Sequence, residues 1–224
     1  MIKLKRKEIP LTSTVIKDDF IKASEKAFDC IFDGISKFYP WEKPEITEDF
    51  TIGIIHGNSG SGKSTLLKEF GEDIPNIWED DKAIISHFES PDEGINLLGA
   101  VGLNSIPSWY KPYKVLSNGE KFRADLARKL KDGCVIDEFT SVVDRTVAKS
   151  TSISIAKYIR KNGLKNVVIS TCHEDIIEWL NPDWVIDTNL GEYYKDFFQL
   201  DQVLISKYIE QGMIFGPCLK TITI

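Results

Sequence analysis

The run Gly57-Asn58-Ser59-Gly60-Ser61-Gly62-Lys63-Ser64 is arranged to hold an anion. Its glycines permit positive φ values and close backbone approach, so successive N–H groups can turn inward around a phosphate. A helix starting near Gly62 adds the positive end of its dipole. In this G-x-x-x-x-G-K-[ST] arrangement Lys63 reaches the outer phosphates as a mobile cation, the Ser64 hydroxyl suits the oxygen coordination of Mg²⁺, and Thr65 touches phosphate beside it.

A second group of chemical residues is Asp137 and Glu138, which close the apolar run Cys134-Val135-Ile136. An acidic pair after a strand is by itself most simply a helix cap or a solvated turn. In a chain that also carries a phosphate loop, Asp137 reads as the Mg²⁺ carboxylate and Glu138 as the base that orients and deprotonates an attacking water. Ser117, Asn118, Gly119 and Glu120 form a capping-box pattern, and a capped helix N-terminus with a serine hydroxyl and a glycine amide is also an anion site. His173 follows the apolar run 167–169; its ring can donate to a phosphate oxygen while the second nitrogen is held by a neighbour. His56 and His87 lack comparable support.

These residues need elements to carry them. Residues 50–56 read as a buried strand leading into the loop, and 64–70 as a helix ended by Gly71. Residues 83–88 read as a second strand. Ser90-Pro91-Asp92-Glu93 starts a helix with a capping serine and a proline in the first turn. Residues 102–115 have no period and read as an aromatic-rich loop. A helix to Leu130, a strand over 134–137, a helix over 144–161, a strand over 166–171, a helix over 174–180 and a strand at Val185 and Ile186 follow. Alternation of short apolar runs with amphipathic segments is the signature of a parallel sheet flanked by helices, so the fold class is α/β. Ile2 and Leu4, alternating with Lys3, Lys5, Arg6 and Lys7, read as an edge strand with a solvated basic face, and 18–32 fits strand or helix equally. The chain reads as one domain, 1–224, with a 1–49 N-terminal region, a 50–188 motif-bearing core and a 189–224 C-terminal appendage.

Composition narrows the class. At 224 residues, 42% hydrophobic and 28% charged, the chain is an ordinary globular one, and a net charge of -6 argues against a generally basic nucleic-acid surface. No run approaches the roughly 18 apolar residues that span a bilayer, and the N-terminus lacks a signal-peptide core, so a soluble cytoplasmic protein is expected. Cys30, Cys134, Cys172 and Cys218 have no C-x-x-C spacing, and mostly buried reduced thiols are expected.

Leu116-Ser117-Asn118-Gly119-Glu120 resembles the LSGGQ signature of ABC-class P-loop ATPases. The run 137–144 resembles that family's Walker B and D-loop, with Phe139 where proline is usual. The resemblance implies an ABC-type cassette with a mostly parallel sheet and a reduced helical subdomain. It implies ATP and Mg²⁺ as cofactors, Ser117 to Glu120 on a γ-phosphate held by a partner subunit, Asp144 as the D-loop aspartate and His173 as the switch histidine. It also implies an aromatic stacked on adenine, for which Phe32 is chosen against Phe28, Phe38 and Tyr39. No N-K-x-D guanine reader is present, which agrees with ATP.

Departures from the family pattern narrow the type further. No glutamine lies between Lys63 and the signature, leaving His87 or Glu89 to stand in for the Q-loop residue. Residues 66–115 are few for the helical subdomain with which transporter ATPases grip membrane subunits. Segments 116–130, 137–149 and 173–187 look most like soluble ABC-type ATPase domains that are fused to, or work beside, a GNAT-like acetyltransferase, including phage forms. The reading is a soluble ATPase that forms an ATP-dependent homodimer and acts on a macromolecular partner, an acetyltransferase or a nucleic-acid-linked protein. The alternative is the ATP-binding subunit of an ABC transporter.

Overall fold

The structure, a computed structural model, describes residues 1–195. In chain order the elements are β1 (Ile2–Lys3), β2 (Leu11–Thr14), α1 (Asp19–Phe28), β3 (Ile35–Phe38), β4 (Ile52–His56), α2 (Lys63–Leu67), α3 (Pro91–Ala100), α4 (Ile106–Trp109), α5 (Asn118–Lys129), β5 (Val135–Ile136), α6 (Arg145–Lys161), β6 (Val167–Thr171), α7 (Asp175–Leu180), β7 (Trp184–Asp187) and β8 (Glu192–Lys195). A six-stranded sheet has the order β1-β8-β7-β4-β6-β5. Its central strands β7, β4, β6 and β5 are parallel, and β8 and β1 extend it antiparallel. Residues from both the 1–49 and 189–224 segments therefore complete the sheet of the 50–188 core.

Strands β4 and β6 are buried along their whole length because helices cover both faces. Alternation sorts their side chains into two cores. Ile52, Ile54, Val167, Ile169 and Val185 face the cluster built with α3, α5, α6 and α7. Ile55, Val168, Trp184 and Ile186 face the other, with Leu66 and Leu67 of α2 and Trp41. Gly53 has no room for a side chain: a Cβ there would lie 2.0 Å from the Trp184 ring.

The element reading from sequence holds for β4, α2, α3, α5, β5, α6, β6, α7 and β7, each within a few residues of its expected bounds. Segment 83–88 is a correction: Ile84–His87 is a 3₁₀ turn, with Ala83 making a lone bridge to Pro112, so β5 is the sheet edge. The expected loop 102–115 contains α4 and a 3₁₀ turn at Tyr113–Val115, pinned by the Trp109 indole, which donates to the Leu103 carbonyl at 2.6 Å. The ambiguous 18–32 is helical where Asp18 caps α1, and β2 pairs antiparallel with β3 in a separate two-stranded sheet. The basic opening does form an edge strand, β1. Cys134 is buried, but Cys30 and Cys172 are exposed, against the expectation of mostly buried thiols; Cys218 lies outside the described residues. No helix among the described residues is long and apolar enough to cross a membrane.

Candidate functional site

The loop after β4 sits at the carboxyl ends of the parallel strands, where ligands bind in open α/β sheets. Gly57, Gly60 and Gly62 have φ of 150°, 78° and 100°. The loop is braced from the chain segment after β7. Ser61 Oγ is 2.6 Å from Thr188 Oγ1, Thr188 donates to the His56 carbonyl at 2.9 Å, and the Asn58 amide donates to Asn189 Oδ1 at 2.9 Å. Gly57 is obligatory, since a Cβ would stand 2.1 Å from Thr188 Oγ1. On the other side the Trp41 indole donates to the Ser61 carbonyl at 3.1 Å, the Phe38 ring edge lies 2.8 Å from where a Gly62 Cβ would be, and the Arg6 guanidinium stacks 3.4 Å over the Trp41 ring. Lys63 is buried and its Nζ donates across the loop to the Asn58 carbonyl at 2.8 Å; Ser64 is exposed and Thr65 half-buried.

Asp137 and Glu138 leave the end of β5 under firm control. Asp137 Oδ1 accepts from Ser170 Oγ and, at 2.9 Å, from the Glu138 amide, whereas Oδ2 accepts no hydrogen bond among the described residues. The Asp137 amide donates to Asp73 Oδ2 at 2.9 Å, and Asp73 is ion-paired with Lys129. Glu138 is exposed with φ of 49°, and Thr140 has φ of 67°. Two non-glycine residues in the left-handed region mark a backbone held against its preference. The hold comes from buried Phe139, whose amide donates to the Ser170 carbonyl at 2.9 Å. Proline in that position would have no N–H to give, which accounts for the departure from the usual residue.

Next to this turn, His173 Nδ1 lies 3.3 Å from Thr140 Oγ1, and its amide donates to Thr171 Oγ1 at 3.1 Å. Partial burial, reinforced by the Arg145 charge, pushes the ring's pKa below its usual value and keeps it neutral near pH 7. Burial does the same to His56, at the end of β4. Asp144 caps α6, its Oδ1 accepting from the Thr146 and Val147 amides at 2.9 and 3.0 Å.

Ser117 caps α5 in a full capping box. Its Oγ accepts from the Glu120 amide at 3.3 Å, and Glu120 Oε2 accepts from the Ser117 amide at 2.9 Å. Ser108 Oγ donates to the other Glu120 oxygen at 2.5 Å. This hydrogen bond, then that from the Ser117 amide, lowers the Glu120 carboxyl to about 2. Ser117 and Asn118 are exposed and Gly119 half-buried. Between α5 and the end of β5 lies a cavity of about 470 Å³, lined among others by Asn118, Lys121, Lys129, Asp137, Glu138 and Ser141.

No protein-family profile matches the chain, and no curated protein is similar to it. Solved structures are. A dimeric ATP-binding cassette, MJ0796, in a post-hydrolysis state bound to ADP and Pi, aligns with a TM-score of 0.54 at 14% identity, covering 86% of this chain and 98% of that one. A second dimeric structure of MJ0796, a bacterial ABC transporter cassette, aligns with a TM-score of 0.53 at 16% identity over 86% and 98%. The fold is that of an ABC ATPase cassette. At such identity the likeness establishes architecture, and residue roles rest on the geometry above.

In this cassette the parallel topology brings the phosphate loop, Asp137, Glu138 and His173 to one rim of the sheet. Phe32 joins α1 to β3, its amide donating to Glu25 at 2.7 Å, while the aromatics Phe38 and Trp41 approach the loop at Gly62 and Ser61. His87 is occupied elsewhere, accepting from the Glu79 amide at 3.0 Å and lying 3.0 Å from the Ala83 carbonyl. Sequence reasoning missed Asp73, Ser170, Thr188 and Asn189. Thr188 and Asn189 follow an apolar strand, Ser170 lies within one and Asp73 lies beyond α2, positions that carry no distinctive local signal.

Proposed function

We propose that this chain is a soluble ABC-type ATPase: it binds Mg-ATP, pairs head to tail around two ATP molecules, and uses hydrolysis to drive a conformational change in a macromolecular partner. The observation that carries the reading is the convergence at one sheet rim of a glycine-rich loop with its lysine, a carboxylate with one oxygen committed and one open, an exposed carboxylate and a neutral histidine.

The residues present fit a magnesium nucleotide. The loop amides, Lys63 and Thr65 would hold the phosphates, and Ser64 Oγ with Asp137 Oδ2 would hold Mg²⁺, which shields the charge that develops on the phosphoryl oxygens. Ser170 keeps Asp137 Oδ1 occupied, so the carboxylate turns one oxygen only toward the metal. Glu138, exposed beside it, orients a water and takes its proton. In the tautomer whose Nδ1 accepts from the Thr140 hydroxyl, neutral His173 would carry its proton on Nε2 and could donate it to a γ-phosphate oxygen.

Ser117, Asn118, Gly119 and Glu120 lie on an exposed helix cap, so the γ-phosphate they take up belongs to a second copy, with Asp144 near the junction. The dimeric neighbours agree with this pairing. The partner worked upon, whether an acetyltransferase or a nucleic-acid-linked protein, follows from resemblance alone.

The test is Glu138→Gln. Steady-state hydrolysis should fall by about 10²–10⁴-fold, the range for loss of a general base, while Mg-ATP affinity measured by calorimetry stays within about threefold, under 1 kcal/mol. Unchanged hydrolysis would remove Glu138 from the mechanism.

A further inference from the structure

Asp73 belongs to no motif, yet it makes two bonds at the centre of the site. It lies beyond α2 and the following turn, with its side chain only 18% exposed. Oδ2 accepts the Asp137 amide at 2.9 Å, and Oδ1 pairs with Lys129, itself 21% exposed. Both bonds answer a structural need. Because 83–88 is not a strand, β5 is the edge of the sheet among the described residues, and no strand among them offers the Asp137 N–H an acceptor. A half-buried amide without an acceptor is destabilising, and an ionised carboxylate makes a stronger bond to it than a carbonyl does.

Lys129 is the last residue of α5, whose first residues follow the Ser117 cap. A helix of this length spans roughly 18 Å at 1.5 Å per residue. Its two ends thus touch the exposed cap and, through Lys129 and Asp73, the backbone of Asp137. Of the segment between the phosphate loop and Ser117, which contains no glutamine, Asp73 is the residue that reaches Asp137.

We propose that Asp73, anchored by Lys129, is a positioning residue that holds the Mg²⁺ carboxylate Asp137 in place and ties it to the helix carrying the Ser117 cap. The proposal rests on the ATPase reading above. Ser170 fixes the Asp137 side chain and Asp73 fixes its main chain, so the open Oδ2 is aimed by bonds to both. Partners of this kind, one step removed from a metal, change metal affinity by about 10–100-fold when removed.

The experiment measures, by calorimetry with a non-hydrolysable ATP analogue, how much Mg²⁺ tightens nucleotide binding in the full chain. Asp73→Ala should cut that tightening by at least about 10-fold, with kcat falling in parallel and Mg²⁺-free nucleotide affinity within about twofold of wild type. Asp73→Asn keeps an oxygen for the Asp137 amide and should recover most of the tightening. Lys129→Met, which removes the anchor and leaves the acceptor, should lose less than Asp73→Ala. Wild-type tightening in Asp73→Ala overturns the proposal, and so does an equal loss in the alanine and asparagine variants, which would make the residue a charge rather than an acceptor. Should the alanine variant not fold, loss of tightening in Asp73→Asn to the level of a magnesium-free site overturns it equally. A wild-type chain whose nucleotide binding ignores Mg²⁺ overturns the ATPase reading itself, an outcome distinct from any difference between variants.

Discussion

At the scale of single residues the site depends on which polar atoms are already spoken for. Lys63 donates to Asn58, a bond worth about 1 kcal/mol to the fold, whereas the contact with phosphate proposed for it would be charge to charge in a sheltered loop. Binding should therefore suffer far more than stability in Lys63→Ala. We expect nucleotide affinity to fall at least about 100-fold, ~2.8 kcal/mol, with the thermal midpoint moving by only ~2–4 °C. Calorimetry and thermal unfolding on the same preparation check both halves; ATP affinity equal to wild type would remove the loop from the site. The glycines at 57 and 62 belong to this scale too: one faces Thr188 and the other Phe38, each at a distance no Cβ tolerates.

At the scale of elements, the start of α5 shows how a helix cap is charged. Glu120 accepts from Ser108 and closes the capping box, and these hydrogen bonds hold its carboxyl at about 2 instead of its ordinary value of 4.5. A carboxyl whose folded pKa is depressed binds its proton more readily unfolded. It therefore contributes stability that is fully present above pH 4.5 and is lost as the pH falls toward 2. Glu120→Gln should be less stable than wild type at pH 7, and the difference should shrink across this acid window. Thermal unfolding of both proteins between pH 7 and pH 2 measures it; a difference independent of pH would deny the carboxylate its part in the cap. The same element scale explains β5, a two-residue strand beyond which the Asp137 amide is satisfied by the Asp73 side chain and by no further strand among the described residues.

At the scale of the whole molecule, the proposed function makes the exposed cap of α5 and the buried Lys63 loop two half-sites that a second copy in an isologous arrangement would complete. In the Glu138→Gln background, saturating Mg-ATP should convert the monomer to a dimer, since a ligand shared by two chains stabilises their association by mass action. Adding Ser117→Arg should disperse that dimer, because a bulky side chain fills the space for the second copy's phosphate. Light scattering with and without ATP reads both steps; a Glu138→Gln chain that stays monomeric at saturation would count against the two-copy site.

What could be read from the sequence alone is what short-range physics decides. The phosphate loop needs its glycines and lysine in a fixed order, and the strand before it must be apolar throughout to be covered on both faces. Helices α3, α5 and α6 announce themselves by capping residues Ser90, Ser117 and Asp144. Only the tertiary structure decided the remainder, because it turns on partners far apart in the chain. Segment 83–88 has a strand-like pattern but, bridged once to Pro112, it winds into a 3₁₀ turn. Phe32 and Phe38 look alike in sequence, and only the pairing of β2 with β3 delivers Phe38 to Gly62. Thr188 and Asn189 brace the phosphate loop across some 130 residues, and Asp73 reaches Asp137 across 64. No local period records such contacts: a carboxylate in a turn looks solvated until the fold brings an unpaired amide within its reach.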